Sequence, residues 1–341
     1  MELAFLKWTD PRVASAWKSM ETGHLSPFLH HAYLDYVYRF TRRVKPLYRP
    51  RVACVLDGDE IVMMAALRGS FGGRSWKMLG DVQGCGCTDA LWKPSLGAGE
   101  REALSAFFFR NLPEKLSLHR IQADSPLLRS LPQERLESRQ EQPCVRIDIP
   151  AGDADALLKS LRASVRQNVR TAYNRMRRDG MLYRLEIFDA DHPVSKEVWR
   201  QIMTLYFDRI LSRYKQKKAK SWVYRIVKHR HYFRIKHDTL SLRSLPNTFH
   251  AVLWNGERIM AFMSGLTTRD GRSVAVPRLA IDAAYSFYSP GYVLLSEVIR
   301  HLADHPTLHE IDLSRGEERY KLDMGGQPYP TFDVEIRPLE A

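Results

Sequence analysis

The chain has 341 residues and a formal net charge of +13, and 44% of its residues are hydrophobic. This length and composition fit one large or two ordinary globular domains. No apolar run is long enough to span a bilayer, and the first residues lack a signal-peptide pattern, so we predict a cytoplasmic protein. The positive charge favours an anionic partner, which could be a phosphorylated cofactor, RNA or an anionic membrane face.

Four scattered cysteines fit a reducing compartment. Cys85 and Cys87, in the sequence GCGC, could hold a soft metal, but no paired set of Cys or His residues completes a zinc site. A glycine-rich loop with buried thiols is the favoured interpretation, so we predict no metal.

The first half of the chain begins with an aromatic helix, predicted at 26–40 behind a serine cap. A hairpin follows, with strands at 51–56 and 61–67 joined by the turn Asp57-Gly58-Asp59. The remaining predicted elements of this half are a strand at 76–79, a helix at 100–111 and a strand at 118–123.

The second half repeats this order of elements. Strands at 249–254 and 258–266 flank the turn Asn255-Gly256, and a third strand is predicted at 274–281. Pro277 lies within that third strand and predicts a bulge or an unpaired edge there. A helix that starts near Gly291 and a short strand around Ile311 complete the series.

Two pairs of sequence blocks also match between the halves. VLDGDEIVM at 55–63 precedes LWNGERIMA at 253–261 by 198 positions, and LHRI at 118–121 precedes LHEI at 308–311 by 190. Two matches in the same order favour a duplicated domain over chance. We therefore predict an α+β chain with one domain at 1–148 and a second at 149–341.

Two stretches are strongly basic. A long helix predicted at 153–178 carries a row of arginines beside its apolar stripe, which is either a solvated face or an anion-binding surface. The second stretch, 209–243, contains twelve Lys or Arg residues and one acid, interleaved with aromatic side chains that could stack on RNA bases. Core packing is the favoured role for those aromatic residues. The arginines of the helix are Arg162, Arg166, Arg170 and Arg177.

A loop that ends in Ser289-Pro290-Gly291 leads into a helix whose apolar rows are Leu295, Ile299 and Leu302 beside Leu294 and Val298. Gly291 lies where the chain turns into this helix, and the free N–H groups of a helix start suit a phosphate or pyrophosphate. The next strand runs into Ser314, Arg315 and Gly316, and a strand end that opens onto a polar turn is a common place for a site.

The final polar segment, DLSRGEERYK at 312–321, resembles the Asp-x-Gly-Arg-Gly-x-x-x-Tyr-Lys pattern of a known group, with Ser314 in place of the first glycine. The group is the tandem GNAT-fold proteins of the bacterial cellulose-biosynthesis-type acetyltransferase family, which are related to FemAB-like aminoacyltransferases. The arginine-rich segment SLRASVRQNVRTAYNRM is similar to a helix of the same family. The resemblance covers nearly the whole chain and implies a duplicated GNAT-like fold, with two mixed sheets flanked by helices.

The resemblance also implies a cofactor site. GNAT enzymes hold acyl-CoA between the fourth and fifth core strands, with its pyrophosphate on a Gln/Arg-x-x-Gly-x-Gly/Ala loop at a helix start. In the second half Gly291 matches this loop, whereas Tyr288 and Val293 occupy its outer positions. A rival loop in the first half, PSLGAG at 94–99, keeps both glycines but is followed by Glu100 and Glu102; we favour the second half. The implied cofactor-binding residues are Ser289, Gly291, Tyr292, Arg278 and Leu279.

The chemistry implied is direct acyl transfer, in which a backbone N–H near Arg278 and Leu279 stabilises the oxyanion. Glu317 or Glu318 is the candidate base, and Tyr320 is the candidate acid for the leaving sulfur. Three further residues of the segment could hold the acceptor or a phosphate, or could pair with neighbouring charges: Asp312, Arg315 and Lys321.

The expected function is transfer of an acetyl or other acyl group from acyl-CoA to an amine or hydroxyl of a sugar or cell-envelope polysaccharide precursor. This substrate class follows from the family resemblance. One alternative is an aminoacyl-tRNA-dependent transferase of the FemAB type, which would account for the basic stretches. The other is a GNAT pair without activity that binds an anionic ligand or partner.

Overall fold

The structure is a computed structural model that describes residues 1–22, 25–44, 48–70, 74–83, 88–216 and 242–339. The chain divides into two compact units, Met1–Cys144 with Tyr329–Ala341 and Val145–Pro328. The segment from Tyr329 onward belongs to the first unit, whereas the sequence analysis gave it to the second domain. None of the helices in these ranges is long and apolar enough to cross a membrane.

The first unit contains an ordered series of strands and helices. In chain order they are β1 (Glu2–Leu6), α1 (Pro11–Met20), α2 (His31–Val44), β2 (Arg49–Asp57), β3 (Glu60–Gly69), β4 (Ser75–Met78), β5 (Leu91–Trp92), α3 (Ala98–Asn111), β6 (Lys115–Gln122), α4 (Pro126–Arg129), the greater part of β7 (Leu136–Asp148) and, at the end of the chain, β13 (Gln327–Ile336). Strands β1 to β4 are antiparallel neighbours, β6 pairs parallel with β4, and β13 pairs antiparallel with β6.

The second unit has the same plan. Its elements are α5 (Ala154–Ser160), α6 (Ala163–Arg178), β8 (Tyr183–Phe188), α7 (Lys196–Gln216), β9 (Thr248–Asn255), β10 (Arg258–Thr267), β11 (Ser273–Ile281), α8 (Pro290–Ala303), β12 (Glu310–Arg315) and α9 (Arg319–Asp323). Strands β8 to β11 are antiparallel neighbours and β12 pairs parallel with β11. The predicted duplication and the mixed sheets are thereby confirmed.

The two sequence matches fare differently in the structure. Asp57 pairs with Glu60 and Asn255 pairs with Arg258, so the hairpins correspond at the predicted offset of 198. The parallel pairs start at Lys115 in β6 and at Glu310 in β12, an offset of 195. The match of LHRI with LHEI, at 190, is therefore wrong in register, because its second member begins two residues before β12.

The long helix predicted at 153–178 is broken into α5 and α6. Leu161 is extended, with φ −61° and ψ 152°, and is almost fully buried in the core. The guanidinium of Arg166 donates to the carbonyl oxygens of Lys159 (2.8 Å) and Leu161 (2.6 Å). These bonds satisfy carbonyls that the interrupted helix leaves without partners, so the break is stabilised.

The core of the second unit forms around α8. Its predicted apolar rows are confirmed, because Leu294, Leu295, Val298, Ile299 and Leu302 are all completely buried. They pack with one face of the sheet and with the buried side of α6.

The expected irregularity at Pro277 is a β-bulge. Ser264 pairs with Arg278 and Leu266 pairs with Ala275, so two residues of β11 lie opposite Gly265 alone. A Cβ atom at Gly265 would lie 2.0 Å from the carbonyl oxygen of Ala275. Only glycine permits this approach between the two backbones.

We expect Gly265→Ala to destabilise the protein by several kcal/mol, since the clash is with backbone and β10 or β11 must shift. Denaturant unfolding should show a lower midpoint. The matched control is Gly291→Ala, whose Cβ would meet only the Ile281 side chain at an ordinary 3.5 Å. An unchanged midpoint for Gly265→Ala would mean that the bulge does not depend on the missing side chain.

Candidate active site

Strands β11 and β12 separate partway along their length. Their parallel register runs from Ser273 and Glu310 to Ala275 and Asp312, although β11 continues to Ile281 and β12 to Arg315. The separation begins next to the bulge. We call the space between 276–281 and 313–315 the strand gap. A strand edge that leaves its neighbour exposes backbone N–H and C=O groups that a ligand can use.

Helix α8 begins beside the strand gap. The Cβ position of Gly291 lies 3.5 Å from Cγ2 of Ile281, the last residue of β11. The left-handed residue at this turn is Ser289, with φ 48°. Ser289 makes no side-chain capping bond to the helix, although its carbonyl oxygen accepts the N–H of Tyr292 (3.0 Å). The N–H of Gly291 is the first-turn donor that could face a ligand, because Pro290 has none.

Tyr292, in the first turn of α8, is fixed by a buried carboxylate. Its hydroxyl donates to Oδ2 of Asp323 (3.2 Å), which also forms ion pairs with Arg162 and with Nε of Arg319 (3.6 Å). Burial and the Asp323 charge raise the pKa of Tyr292. Asp323 is 6% exposed, so these partners compensate a charge that burial would otherwise make costly.

Lys321 is a structural residue of the loop after β12. Its ammonium donates to the carbonyl oxygens of Leu313 (2.9 Å), Arg315 (2.8 Å) and Gly316 (2.9 Å) and lies 2.9 Å from Oε2 of Glu318. The side chain is 3% exposed. These contacts use all three of its N–H donors, so the expected role of Lys321 in holding a phosphate or the acceptor is replaced by one in fixing the loop.

Two residues with positive φ lie in this region, Ser314 near the end of β12 (φ 56°) and Gly316 directly after the strand (φ 97°). The backbone N–H of Ser314 donates to Oδ1 of Asp312 (2.7 Å), which fixes the turn. Ser314 stands where the resembling family has glycine, and its positive φ explains why that family uses glycine there.

The other predicted residues of the loop differ in exposure. Glu317 and Arg315 are exposed, and Tyr320 is half-buried in α9. Glu318 is half-buried, and although burial opposes its ionisation, the hydrogen bond and charge of Lys321 lower its pKa. Arg209 of α7 lowers it further. The lowered pKa and the ion pair with Lys321 make Glu318 a poor base.

Arg278 and Leu279 lie on β11 just beyond the bulge. The Leu279 side chain packs on the core, whereas the Arg278 guanidinium lies 5.8 Å from the ring centroid of Tyr206, on the side of the sheet where α7 packs. Arg278 is 3% exposed and pairs across the sheet with Ser264. Both predicted residues therefore border the strand gap, one on each face.

A buried polar row that the sequence analysis missed continues from Arg278. Ser264 lies opposite both Arg278 and His250, and Nδ1 of His250 is 2.8 Å from the Ser264 hydroxyl. Burial, with the Arg278 charge, lowers the pKa of His250 to about 3, so its ring is neutral. The sequence did contain a hint of this row, because His250 and Ser264 are each the polar residue inside an otherwise apolar strand, β9 and β10.

A cavity of about 910 Å³ lies between α7 and the end of β11. We call it the α7 cavity. Ile281 borders it and also contacts the start of α8, so the cavity lies next to the strand gap. Its polar lining includes Gln201, Thr204, Asp208, Arg209 and Ser286.

The rival site in the first unit is less available. At the start of α3 the side chain of Glu100 accepts the Gly97 N–H (2.7 Å), so the helix is capped by its own carboxylate. Beyond the parallel pairing of β4 and β6, Asp81 binds Arg120 (2.9 Å) and His119 (2.8 Å). Cys85, Cys87 and most of the basic stretch 209–243 lie outside the described residues.

We expect Ser314→Gly to raise the free energy of unfolding by about 1 kcal/mol, because glycine adopts the left-handed conformation without strain. Ser314→Val should lower it. Thermal unfolding of both variants provides the measurement. A stabilisation by valine would show that the turn is not strained at this position.

The Glu318–Lys321 pair predicts a pH dependence. A lowered pKa gives stability that is present above the pKa of the unfolded state and is lost as the pH falls through the folded value. The difference in melting temperature between the native protein and Glu318→Gln should therefore shrink from pH 7 towards pH 3. Glu317→Gln, at the exposed neighbour, is the control and should show no such trend.

The chain is similar in structure to three solved proteins across both units. They are the C-terminal domain of a putative lysylphosphatidylglycerol synthetase from Agrobacterium fabrum (TM-score 0.55, 11% identity, covering 94% of this chain and 92% of the other), FemX (0.54, 11%, 98% and 97%) and L-PGS from Bacillus licheniformis (0.55, 11%, 98% and 94%). At this identity the likeness establishes the fold. No curated protein matches the chain in sequence.

A family model described as an acetyltransferase (GNAT) domain matches residues 163–322. That span runs from the first residue of α6 into α9 and includes the strand gap, the start of α8 and most of the loop pinned by Lys321. This part of the chain is therefore similar to GNAT acetyltransferase domains.

Proposed function

We propose that the second unit transfers an acyl group from acyl-CoA to an amine or hydroxyl of a small acceptor. The observation that carries this proposal is the strand gap, which starts at the bulge and has the beginning of α8 on one side and the α7 cavity next to it. A donor and an acceptor can meet there from the two faces of the sheet.

In this proposal the acyl-CoA pyrophosphate binds at the first turn of α8, beside Ser289 and Tyr292, where the N–H of Gly291 is the nearest donor. A helix start offers free donors and partial positive charge to such a group. The thioester then extends into the strand gap, where a backbone N–H near Arg278 or Leu279 stabilises the oxyanion.

The acceptor occupies the α7 cavity. Two of its ionic pairs are already satisfied internally, Arg258 with Asp282 (2.8 Å) and Arg200 with Glu197 (2.6 Å). The Gln201 amide, the Ser286 hydroxyl and the Asp208 carboxylate offer donors and acceptors that suit a ligand with many hydroxyl groups. This lining supports a sugar, an amino sugar or a related precursor of a cell-envelope polysaccharide.

The transfer itself needs two proton movements. The acceptor nitrogen or oxygen attacks the thioester carbon, the carbon–sulfur bond breaks, and the acceptor proton passes to a base. We assign the base to the exposed Glu317, because the ion pair with Lys321 occupies Glu318 and lowers its pKa. Tyr320 protonates the leaving thiolate, while Asp312 and Arg315 orient the acceptor from the loop.

A second candidate is an aminoacyl-tRNA-dependent transferase. The buried carboxylate of Asp323 favours this candidate. It accepts the hydroxyl of Tyr292 in the first turn of α8, so its negative charge would oppose binding of a CoA pyrophosphate there. The likeness to FemX across the whole chain is compatible with this alternative.

The test compares acyl-CoA binding and turnover in two variants. Gly291→Asp adds a negative charge at the helix start and should weaken acyl-CoA binding by at least about 1–2 kcal/mol. Tyr320→Phe removes only a hydroxyl, so binding should persist while turnover falls. Thermal shifts with acetyl-CoA, longer acyl-CoAs, free CoA and bulk tRNA measure the donor preference.

Gly99→Asp in α3 is the matched control, because this glycine also lies near a helix start and has open space around it. It should leave acyl-CoA binding unchanged. Loss of binding with Gly99→Asp alone would place the donor in the first unit. A stabilising effect of tRNA without one of any CoA species would favour the second candidate, and no effect of either would favour a binding protein without activity.

A further inference from the structure

A basic groove runs along one face of α6, away from the strand gap. It has a volume of about 540 Å³ and lies between α5, α6 and the middle of α8. Glu297 and Arg300 border it from α8, and Glu297 is seven residues, roughly 10 Å along the helix, beyond Pro290. We call it the α6 groove.

The cations of the groove come from one face of a helix. Arg166, Arg170 and Arg177 follow one another at spacings of four and seven residues, which places them in a row along α6. Lys159, from the end of α5, adds a fourth exposed cation. The row covers roughly 16 Å between its ends.

Most of this charge is not neutralised within the described residues. The two acids that line the groove, Asp155 and Glu297, stand against five cations, the four exposed ones and Arg300, which leaves a net charge of three positive units. Neither Arg170 nor Arg177 forms an ion pair there with any Asp or Glu of the described ranges. Such a row of exposed arginines attracts phosphate groups.

The carboxylate of Glu297 does not neutralise the exposed arginine row, because it is already bound by Tyr173 and Arg300. Tyr173 donates its hydroxyl to Oε1 of Glu297, and Nη1 of Arg300 donates to both Glu297 (3.1 Å) and the Tyr173 oxygen (2.9 Å). Burial and this hydrogen bond raise the pKa of Tyr173, so the tyrosine remains neutral. The network is a compact, preformed floor for the groove.

The floor also offers aromatic and apolar surface. The rings of Tyr173 and Tyr183 lie 5.8 Å apart and are tilted by 52°, and both are half-buried. Leu158 and Val169 complete this surface. A planar ring can stack there while an attached phosphate chain reaches the arginine row.

We infer that the α6 groove binds a nucleoside diphosphate or the equivalent nucleotide end of a larger ligand, with its phosphates on Arg170 and Arg177 and its base against Tyr183. Neither this groove nor its residues take part in the proposed acyl transfer, so the inference does not rest on that function.

The test measures binding of ADP and of inorganic pyrophosphate at about 150 mM salt, where weak surface attraction is screened. The double variant Arg170→Glu/Arg177→Glu should weaken ADP binding by at least about 10-fold, as two charge-assisted contacts are lost. Tyr183→Leu should weaken ADP binding but leave pyrophosphate binding unchanged. Melting temperatures confirm that the variants are folded.

The matched control is Arg110→Glu/Arg272→Glu, which changes the net charge equally at two exposed arginines away from the groove. An equal loss of ADP binding in this control would overturn the inference, because ADP would then be attracted by the net positive charge of the protein and not by the groove. Absence of ADP and pyrophosphate binding in the native protein would also overturn it. So would loss of ADP binding in Gly291→Asp but not in the groove variant, since the nucleotide would then bind at the start of α8.

Discussion

The close approach of Gly265 to the Ala275 carbonyl is the constraint on which the candidate site depends. It places two residues of β11 opposite one residue of β10 and so turns Arg278 towards the α7 side of the sheet while Leu279 faces the core. The parallel pairing with β12 stops at the same level. One missing side chain thus produces both the opening in the sheet and the direction of the residues beside it.

The buried ammonium of Lys321 has a comparable role on the other side of the gap. It gathers the carbonyls of the loop after β12, and that loop would otherwise expose unsatisfied polar groups beside the core. Glu318 balances the charge of Lys321, whereas Glu317 is left exposed to solvent. The loop is therefore fixed from within by a single buried ammonium.

The two units share the same order of strands and helices but differ at the corresponding helix starts. In the first, the separating strands β4 and β6 are followed by the half-buried Asp81 paired with the buried Arg120, and α3 is capped by Glu100. In the second, the corresponding helix start has no side-chain cap and borders a cavity. The two units therefore share an architecture but differ in the side chains at the corresponding helix start.

The sequence by itself determined the duplication, the hairpins and the buried face of α8, because turn residues and apolar spacing are local properties. The sequence also indicated the bulge at Pro277 and identified the polar segment 312–321 as part of a candidate site. Only the tertiary structure decided which side chains meet. Lys321 binds the carbonyls of the loop, Tyr292 binds Asp323, and His250, Ser264 and Arg278 form one row. Each of these contacts joins residues from separate elements, which a local sequence pattern does not predict. The helix break at Leu161 likewise depends on burial of the Leu161 side chain against the core. The helical spacing of apolar residues in the sequence does not predict such a break.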